Sequence, residues 1–379
     1  GKEYYTANPA PGPITLDGEL DEWTGVPVLS DPRFAIPKGS KRDGELVLFE
    51  EYNGGVWTGP DDQTSAVQIV YDEGNVYFGF VVTDDYHQSS AADVGTAWNG
   101  DSVQLMIASA NQDAQVALYN YAIGGTEDAL GEVYVHHEAG PGGTEAVVAR
   151  NGDTKRTTYE IKLPAESLGL ESLELGTQFG LGMAINDGDE DTPGQRGWGG
   201  LGAHSIVFGK TPSETALVTL GVGGTGADLI FLSAINPTIS GFTFRANDKG
   251  DSVVDPDTAR LFIDGQEVPL TASEKKLDAI DFAYTTASPY APDSDHTYLI
   301  EIKDTDGNVV TDSSTFQTAY YAILTAGMKA VSFDASSPGF IWSVFQNDTY
   351  VHTSLAETEL ALAGELVDAT GNPVTENFA

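Results

Sequence analysis

The sequence predicts an all-β chain made of two consecutive sandwiches and a short final segment. Three observations carry that expectation. Short runs of alternating apolar and polar residues recur along most of the chain. Forty-three Gly and eighteen Pro supply turns between them, and long amphipathic helical patterns are missing from the series. At 379 residues the chain exceeds one ordinary domain, and a hydrophobic content of 40% is enough for two packed cores.

The strands follow in order. Residues 67–71 and 76–83 form a pair joined by the polar loop Asp72-Glu-Gly-Asn75. Side chains alternate along a strand, so Val76, Phe78, Phe80 and Val82 share one face. In 102–109 the face Val103, Leu105, Ile107 alternates with Gln104, Met106, Ala108. Further strands are expected at 115–122, 132–137, 145–150, 157–163 and 178–186, with one helical turn at 164–169. Together they predict a jelly-roll-like two-sheet β-sandwich over residues 1–222. Gly221-Val-Gly-Gly-Thr-Gly226 reads as a linker. Residues 223–318 then hold about seven short strands, with tight turns at Asp264-Gly265 and Asp306-Gly307, as in an immunoglobulin-like β-sandwich. Over 319–379, Ser354-Leu-Ala-Glu357 reads as a capping box opening one helix to about Val367. That segment reads as a partial module or linker of a longer polypeptide, and Gly1-Lys-Glu-Tyr-Tyr as a mature or excised start.

Charge narrows the function. Fifty-seven acids against eighteen bases give a net charge of −39, which repels phosphate backbones and excludes nucleic acid as a partner. The same acidity suits a salty medium and offers carboxylates to hard cations. An 18-residue apolar run is missing, so no membrane span is expected. With no Cys, disulfides and thiolate chemistry are excluded. Neither a Gly-x-Ser-x-Gly elbow, a P-loop nor a His-Glu-x-x-His occurs, and the adjacent His136 and His137 point to opposite faces of a strand. The expectation is therefore a binding protein and not an enzyme.

Trp98-Asn-Gly-Asp101-Ser-Val-Gln104 places a large ring at a strand entrance, beside carboxylate and amide groups. A pyranose needs that combination, because a ring face packs on sugar C–H groups while polar groups read hydroxyls. Ile14-Thr-Leu-Asp-Gly-Glu-Leu-Asp-Glu-Trp23, the 70–78 hairpin, the Trp98 segment, Tyr159-Glu-Ile-Lys-Leu-Pro164, Phe179-Gly-Leu-Gly-Met-Ala-Ile-Asn-Asp187, Gly194-Gln-Arg196 and Phe208-Gly209 occur in that order. The series, over roughly 10–221, resembles the family-9 carbohydrate-binding modules of the DOMON-like β-sandwich group. The resemblance implies a sugar held between two Trp rings, and hence a polysaccharide or oligosaccharide partner. It places Trp98 at the first ring and Arg196 at a sugar-contacting Arg. Gln104 stands where the family has a Glu, and Asn120 and Tyr121 are placed at the same pocket. Trp198 is the candidate second ring, though closer to Arg196 than the family spacing, and a loop Trp folded over the sandwich edge is the equal alternative. Trp57 offers another platform, whereas Trp23 and Trp342 are expected to pack.

Calcium is the expected cofactor. Asp187, Asp189 and Asp191 alternate like the opening of a calcium loop, without the Glu that completes an EF-hand. Asp17, Glu19 and Asp21 form the second candidate, since the resemblance implies structural calcium near the N-terminal motif. The whole is expected in a secreted or cell-surface protein. Two rival readings remain: a self-associating subunit of a filament, adhesin or surface layer, and a haem-binding DOMON electron-transfer domain using Met106 or Met183.

Overall fold

The computed structural model describes residues 4–30, 46–223, 226–291 and 294–318, and the backbone of five short strand segments beyond them. Fourteen strands make the first sandwich: β1 (Tyr4–Pro9), β2 (Leu29–Ser30), β3 (Leu46–Glu51), β4 (Gln63–Tyr71), β5 (Asn75–Asp84), β6 (Gln88–Ser89), β7 (Ser102–Ala108), β8 (Gln115–Thr126), β9 (Ala129–Ala139), β10 (Glu145–Asn151), β11 (Arg156–Pro164), β12 (Gln178–Asp187), β13 (Gly197–Leu201) and β14 (Ala216–Leu220). One sheet runs β10-β11-β5-β4, with β2 on β4. The other runs β14-β12-β7-β8, with β6 and β9 on β8, and β13 linking β12 to β3. Strand β1 belongs to both. Its residues Tyr4 to Ala7 lie parallel to β14, and Asn8 and Pro9 lie beside Val70 and Tyr71 of β4.

The alternating faces read from the sequence close on each other. Phe78, Phe80 and Ile161 of one sheet meet Val103, Leu105, Ile107 and Tyr119 of the other, all without exposed surface. Each such side chain stabilises the fold by about 1.5–3 kcal/mol through burial. The opposite face of β7, β8 and β12 is also covered. There Met106, Leu118 and Ala184 pack under Trp198, Ala203 and Ile206 in a smaller core. This second layer sits close because Gly182 has no side chain; a Cβ there would lie 1.9 Å from Ser205 Oγ. Met183 packs in the main core and Met106 in the smaller one, the ordinary role of a Met in a sandwich.

The second sandwich comprises β15 (Phe231–Thr238), β16 (Gly241–Asn247), β17 (Val254–Ile263), β18 (Gln266–Val268), β19 (Thr271–Ala272), β20 (Ala279–Thr285), β21 (Asp295–Asp304) and β22 (Val309–Gln317). Its sheets run β15-β16-β20-β19 and β18-β17-β21-β22 around Phe242, Phe244, Leu261, Phe282 and Ile300. A polar seam joins the two sandwiches. The Arg245 guanidinium donates to Asp281 at 2.7 Å and to Asp61 of the first sandwich at 2.6 Å, and Arg156 Nη1 donates to Asp278 at 2.8 Å.

The helix expected from Ser354 is corrected where the backbone is described. Ser354 and Leu355 end the strand Thr349–Leu355, and Ala361–Leu362 pairs with Tyr321–Ala322. Ser354 and Leu355 pair with Ile341 and Phe340, so neighbouring strands outweigh the local capping signal. Residues 356–360 and 363–367 of that expected helix, and the side chain of Trp342, lie outside the described residues.

Candidate functional site

The exposed edge of the smaller core holds a cavity of about 240 Å³. Its walls include Tyr52, Trp98, Trp198 and Phe208, with Gln104, Gln195, Glu138 and Lys210 supplying polar groups. Trp98 is delivered by a loop that the sequence closes locally. Asp93 caps the 3₁₀ turn Val94–Thr96 in a reciprocal capping box, and Asn99 Oδ1 then accepts from Gln195 N at 3.1 Å. Gln88 Oε1 accepts from Gly194 N at 2.8 Å and ties the facing loop to the same place.

Three rings of the cavity keep open faces: Trp98 at 39% exposure, Tyr52 at 38% and Phe208 at 53%. Large rings are normally covered, and three half-open ones around one small cavity form a stacking surface. Trp198 differs. It is 1% exposed, tilted against Tyr52 at 5.3 Å and edge-on to Phe208 at 5.4 Å. It is the base on which the two open rings stand, and its Nε1 has no hydrogen-bond partner. Phe208 holds a positive φ of 29° that a non-glycine residue rarely adopts, so the packing around it sets its position.

Polar residues of the site sit on the outward positions of the strands. Gln104 Nε2 donates to Asn120 Oδ1 at 2.8 Å, and Gln104 Oε1 accepts from Asn186 Nδ2 at 3.1 Å. Among the ligand-site residues read from the sequence, Trp98, Gln104 and Trp198 line the cavity, and Asn120 stands one bond behind it. Tyr121, next on β8, points the other way into the main core, where its hydroxyl meets Thr144 Oγ1 at 2.7 Å. Arg196 turns away beside Gln195; its guanidinium pins the carbonyls of Thr192, Pro193 and Asn53. Tyr52, Phe208, Gln195, Glu138 and Lys210 escaped the sequence reading as site residues. Only Gln195, inside Gly194-Gln-Arg196, and Phe208, in Phe208-Gly209, carried a signal, as members of the ordered motifs.

A second constellation lies on the edge beyond β12. Carboxylates of Asp62, Asp187 and Asp189 approach within 4.8 Å of one another, and so do ligand atoms of Asp84, His87 and Asp101. Asp187 is 3% exposed, and no described donor hydrogen-bonds its carboxylate. Burial, then the charges of Asp101, Asp84, Asp62 and Asp189, push its carboxyl well above the usual range. Burial also lifts Asp101 to about 7, against hydrogen bonds from Asp84 and from the amides of Gln88 and Gly188. His87 Nε2 bonds the Ile123 carbonyl at 2.9 Å, which turns Nδ1 toward Asp101 at 3.2 Å. Oxygen-only ligands, crowded and short of donors, suit a hard divalent cation at Asp62, Asp187 and Asp189. Asp191 stands exposed on the rim of the adjoining 450 Å³ hollow. The Asp17–Asp21 turn is built differently. Its amides at 17 and 18 donate to Glu160 Oε2, Asp17 Oδ1 caps Glu19 N, and its carboxylates join no three-ligand group among the described residues.

Residues 42–204 match the family model described as "Carbohydrate family 9 binding domain-like". No curated protein matches the chain. Among solved structures, a family 9 carbohydrate-binding module from Caldicellulosiruptor kristjanssonii in complex with glucose is 14% identical, covering 60% of this chain and 100% of its own, with a TM-score of 0.40. The structure of such a module from the same organism with cellotriose is 15% identical, covering 62% of this chain and 100% of its own, with a TM-score of 0.37.

Proposed function

We propose that the first sandwich, a carbohydrate family 9 binding-domain-like unit over residues 42–204, takes a saccharide in the cavity under Trp98, Tyr52 and Phe208. Family 9 modules bind without catalysing, and a saccharide is the partner class they imply. The observation that carries the reading is the trio of half-open rings around a floor of amides. Rings remove water from sugar C–H faces, and amides both donate to and accept from hydroxyls. The stacking pair in this reading is Trp98 with Phe208 or Tyr52, and Trp198 supports them from below.

Two further elements belong to the proposal. Calcium at Asp62, Asp187 and Asp189 would convert mutual repulsion into cross-links and hold the 187–196 loop against the cavity wall. A secreted or surface setting would supply it at the millimolar level that weak extracellular sites use. The second sandwich serves as an immunoglobulin-like companion domain; its sheet orders match strands A-B-E-D and C′-C-F-G of that fold.

The test is a glycan array followed by titration, with glucose and cellotriose as the first probes. Trp98→Ala should weaken binding at least tenfold, since losing one stacking ring costs about 1–3 kcal/mol, with an unchanged circular dichroism spectrum. An array with no binder in calcium would overturn the reading and leave the structural-subunit role in its place.

A further inference from the structure

The amides beneath the cavity are not merely polar; they point one way. Gln195 Nε2 donates to Asn186 Oδ1 at 2.6 Å, and Asn186 Nδ2 donates to Gln104 Oε1 at 3.1 Å. Gln104 Nε2 donates to Asn120 Oδ1 at 2.8 Å, and Asn120 Nδ2 donates to Glu138 Oε2 at 3.1 Å. Four successive bonds thus run in one direction from β12 and its loop across β7 and β8 to β9. An amide chain of this kind is reversible in principle, because each side chain can turn over. Glu138 at the end of the row, with the Trp98 carbonyl that also accepts from Asn186 Nδ2 at 3.4 Å, fixes its sense, because neither can donate. Bonds in series polarise one another, so the terminal carboxylate strengthens the whole row.

The far end of the row is a charged pair at the cavity rim. Glu138 Oε1 lies 3.6 Å from Lys210 Nζ, which also donates to the Ile206 carbonyl at 3.3 Å. Both residues line the cavity and are partly exposed, at 35% and 41% of their side chains. A separation of 3.6 Å leaves the ammonium with unused donors and the carboxylate with unused lone pairs. Two adjacent hydroxyls of a sugar complement such a pair, one donating to the carboxylate and its neighbour accepting from the ammonium. Resting on the saccharide reading above, we infer that Glu138 and Lys210 are the specificity-determining residues of this site and read a vicinal diol, with Glu138 also setting the direction of the amide row. In a chain holding 18 bases against 57 acids, a lysine at the cavity rim is a scarce group.

The inference is tested with the methyl hexopyranoside that the array ranks first, and its monodeoxy analogues, titrated against the wild-type chain, Glu138→Gln, Lys210→Met and Trp98→Ala. The wild type should reject two analogues that lack neighbouring hydroxyls by roughly tenfold each, the size of a lost hydrogen bond to a charged group. Glu138→Gln should level the penalty at one of those positions and Lys210→Met at the other, with the parent sugar still bound by both. Trp98→Ala should weaken all the sugars alike. If both rim variants keep the wild-type ranking, the inference fails while the saccharide site stands. If the wild type binds none of them, the reading of the cavity fails and takes the inference with it. A chain whose rim variants lose every sugar, Trp98-like, also overturns it, because the pair would then be part of general affinity and not of selection.

Discussion

The two sandwiches bury their polar groups differently. In the second, the buried polar residues are few and each is answered. Asn247 Nδ2 donates to Ser233 Oγ at 3.0 Å, Ser252 Oγ donates to Asp304 at 2.8 Å, and Arg245 grips Asp281 and Asp61. In the first, Asp62, Asp84, Asp101 and Asp187 are all at most 5% exposed and crowd together, with Arg150 and His87 as the nearby bases. Burying like charges opposes folding, so a sandwich that keeps them holds them for something other than stability. The contrast separates a domain that buries clustered like charges from one whose buried polar groups are each paired.

That contrast can be broken in graded ways. The largest effect should come from Ile300→Ala, which empties the second core and costs about 2–5 kcal/mol in that domain. Two calorimetric transitions should follow, with only one of them lowered. Next is removal of calcium. If calcium occupies the proposed site, a hundredfold excess over Kd would add about 2.7 kcal/mol to the native first sandwich, so chelation should lower its melting temperature by several degrees and leave the second alone. Equal melting curves in chelator and in calcium, at constant ionic strength, would remove the cation from the account.

A smaller effect concerns pH in chelator. Asp187, Asp84 and Asp101 have folded pKa values above the ordinary carboxylate value, Asp101 at about 7, so the native state binds more protons than the unfolded chain as pH rises above about 4 through the folded values. Their contribution is therefore present at low pH and is lost as pH rises through that window. The first sandwich should melt lower at pH 8 than at pH 5, calcium should flatten the difference, and the second should show little slope. A first-domain melting temperature that rises with pH in chelator would contradict the crowding. The smallest effect is expected at the seam. Arg156→Gln removes a partly exposed pair with Asp278 and should cost at most about 1 kcal/mol, read as looser coupling between the two transitions.

Most of the fold was legible because alternation is a local signal. The faces Val103-Leu105-Ile107 and Gln104-Met106 sort inward and outward as a pleated strand requires. The same rule puts Tyr121 in the core while Asn120 faces the site, whereas Arg196, in the loop before β13, is held away from the cavity by the carbonyls of Thr192, Pro193 and Asn53. What stayed hidden rests on distant pairing. Tyr52 reaches the cavity because β3 lies along β13, with Glu50 opposite Trp198, a pairing between segments about 150 residues apart that no local pattern announces. Asp62 joins Asp187 only across the sandwich edge. Glu138 and Lys210 read as ordinary surface charges until β9 and the 203–210 segment are set side by side.

Strand β1 carries a consequence for biosynthesis. Tyr4 leaves the ribosome well ahead of its partner Leu217, which emerges only after the rest of the first domain has been made. Until then the opening strand has only Val70 and Tyr71 beside Asn8 and Pro9, and the free edges of two half-built sheets face the crowded exit site. Closure of the sandwich is thus timed by its last strand, and a chain stalled before β14 would expose pairing edges that its neighbours on the same message could take up.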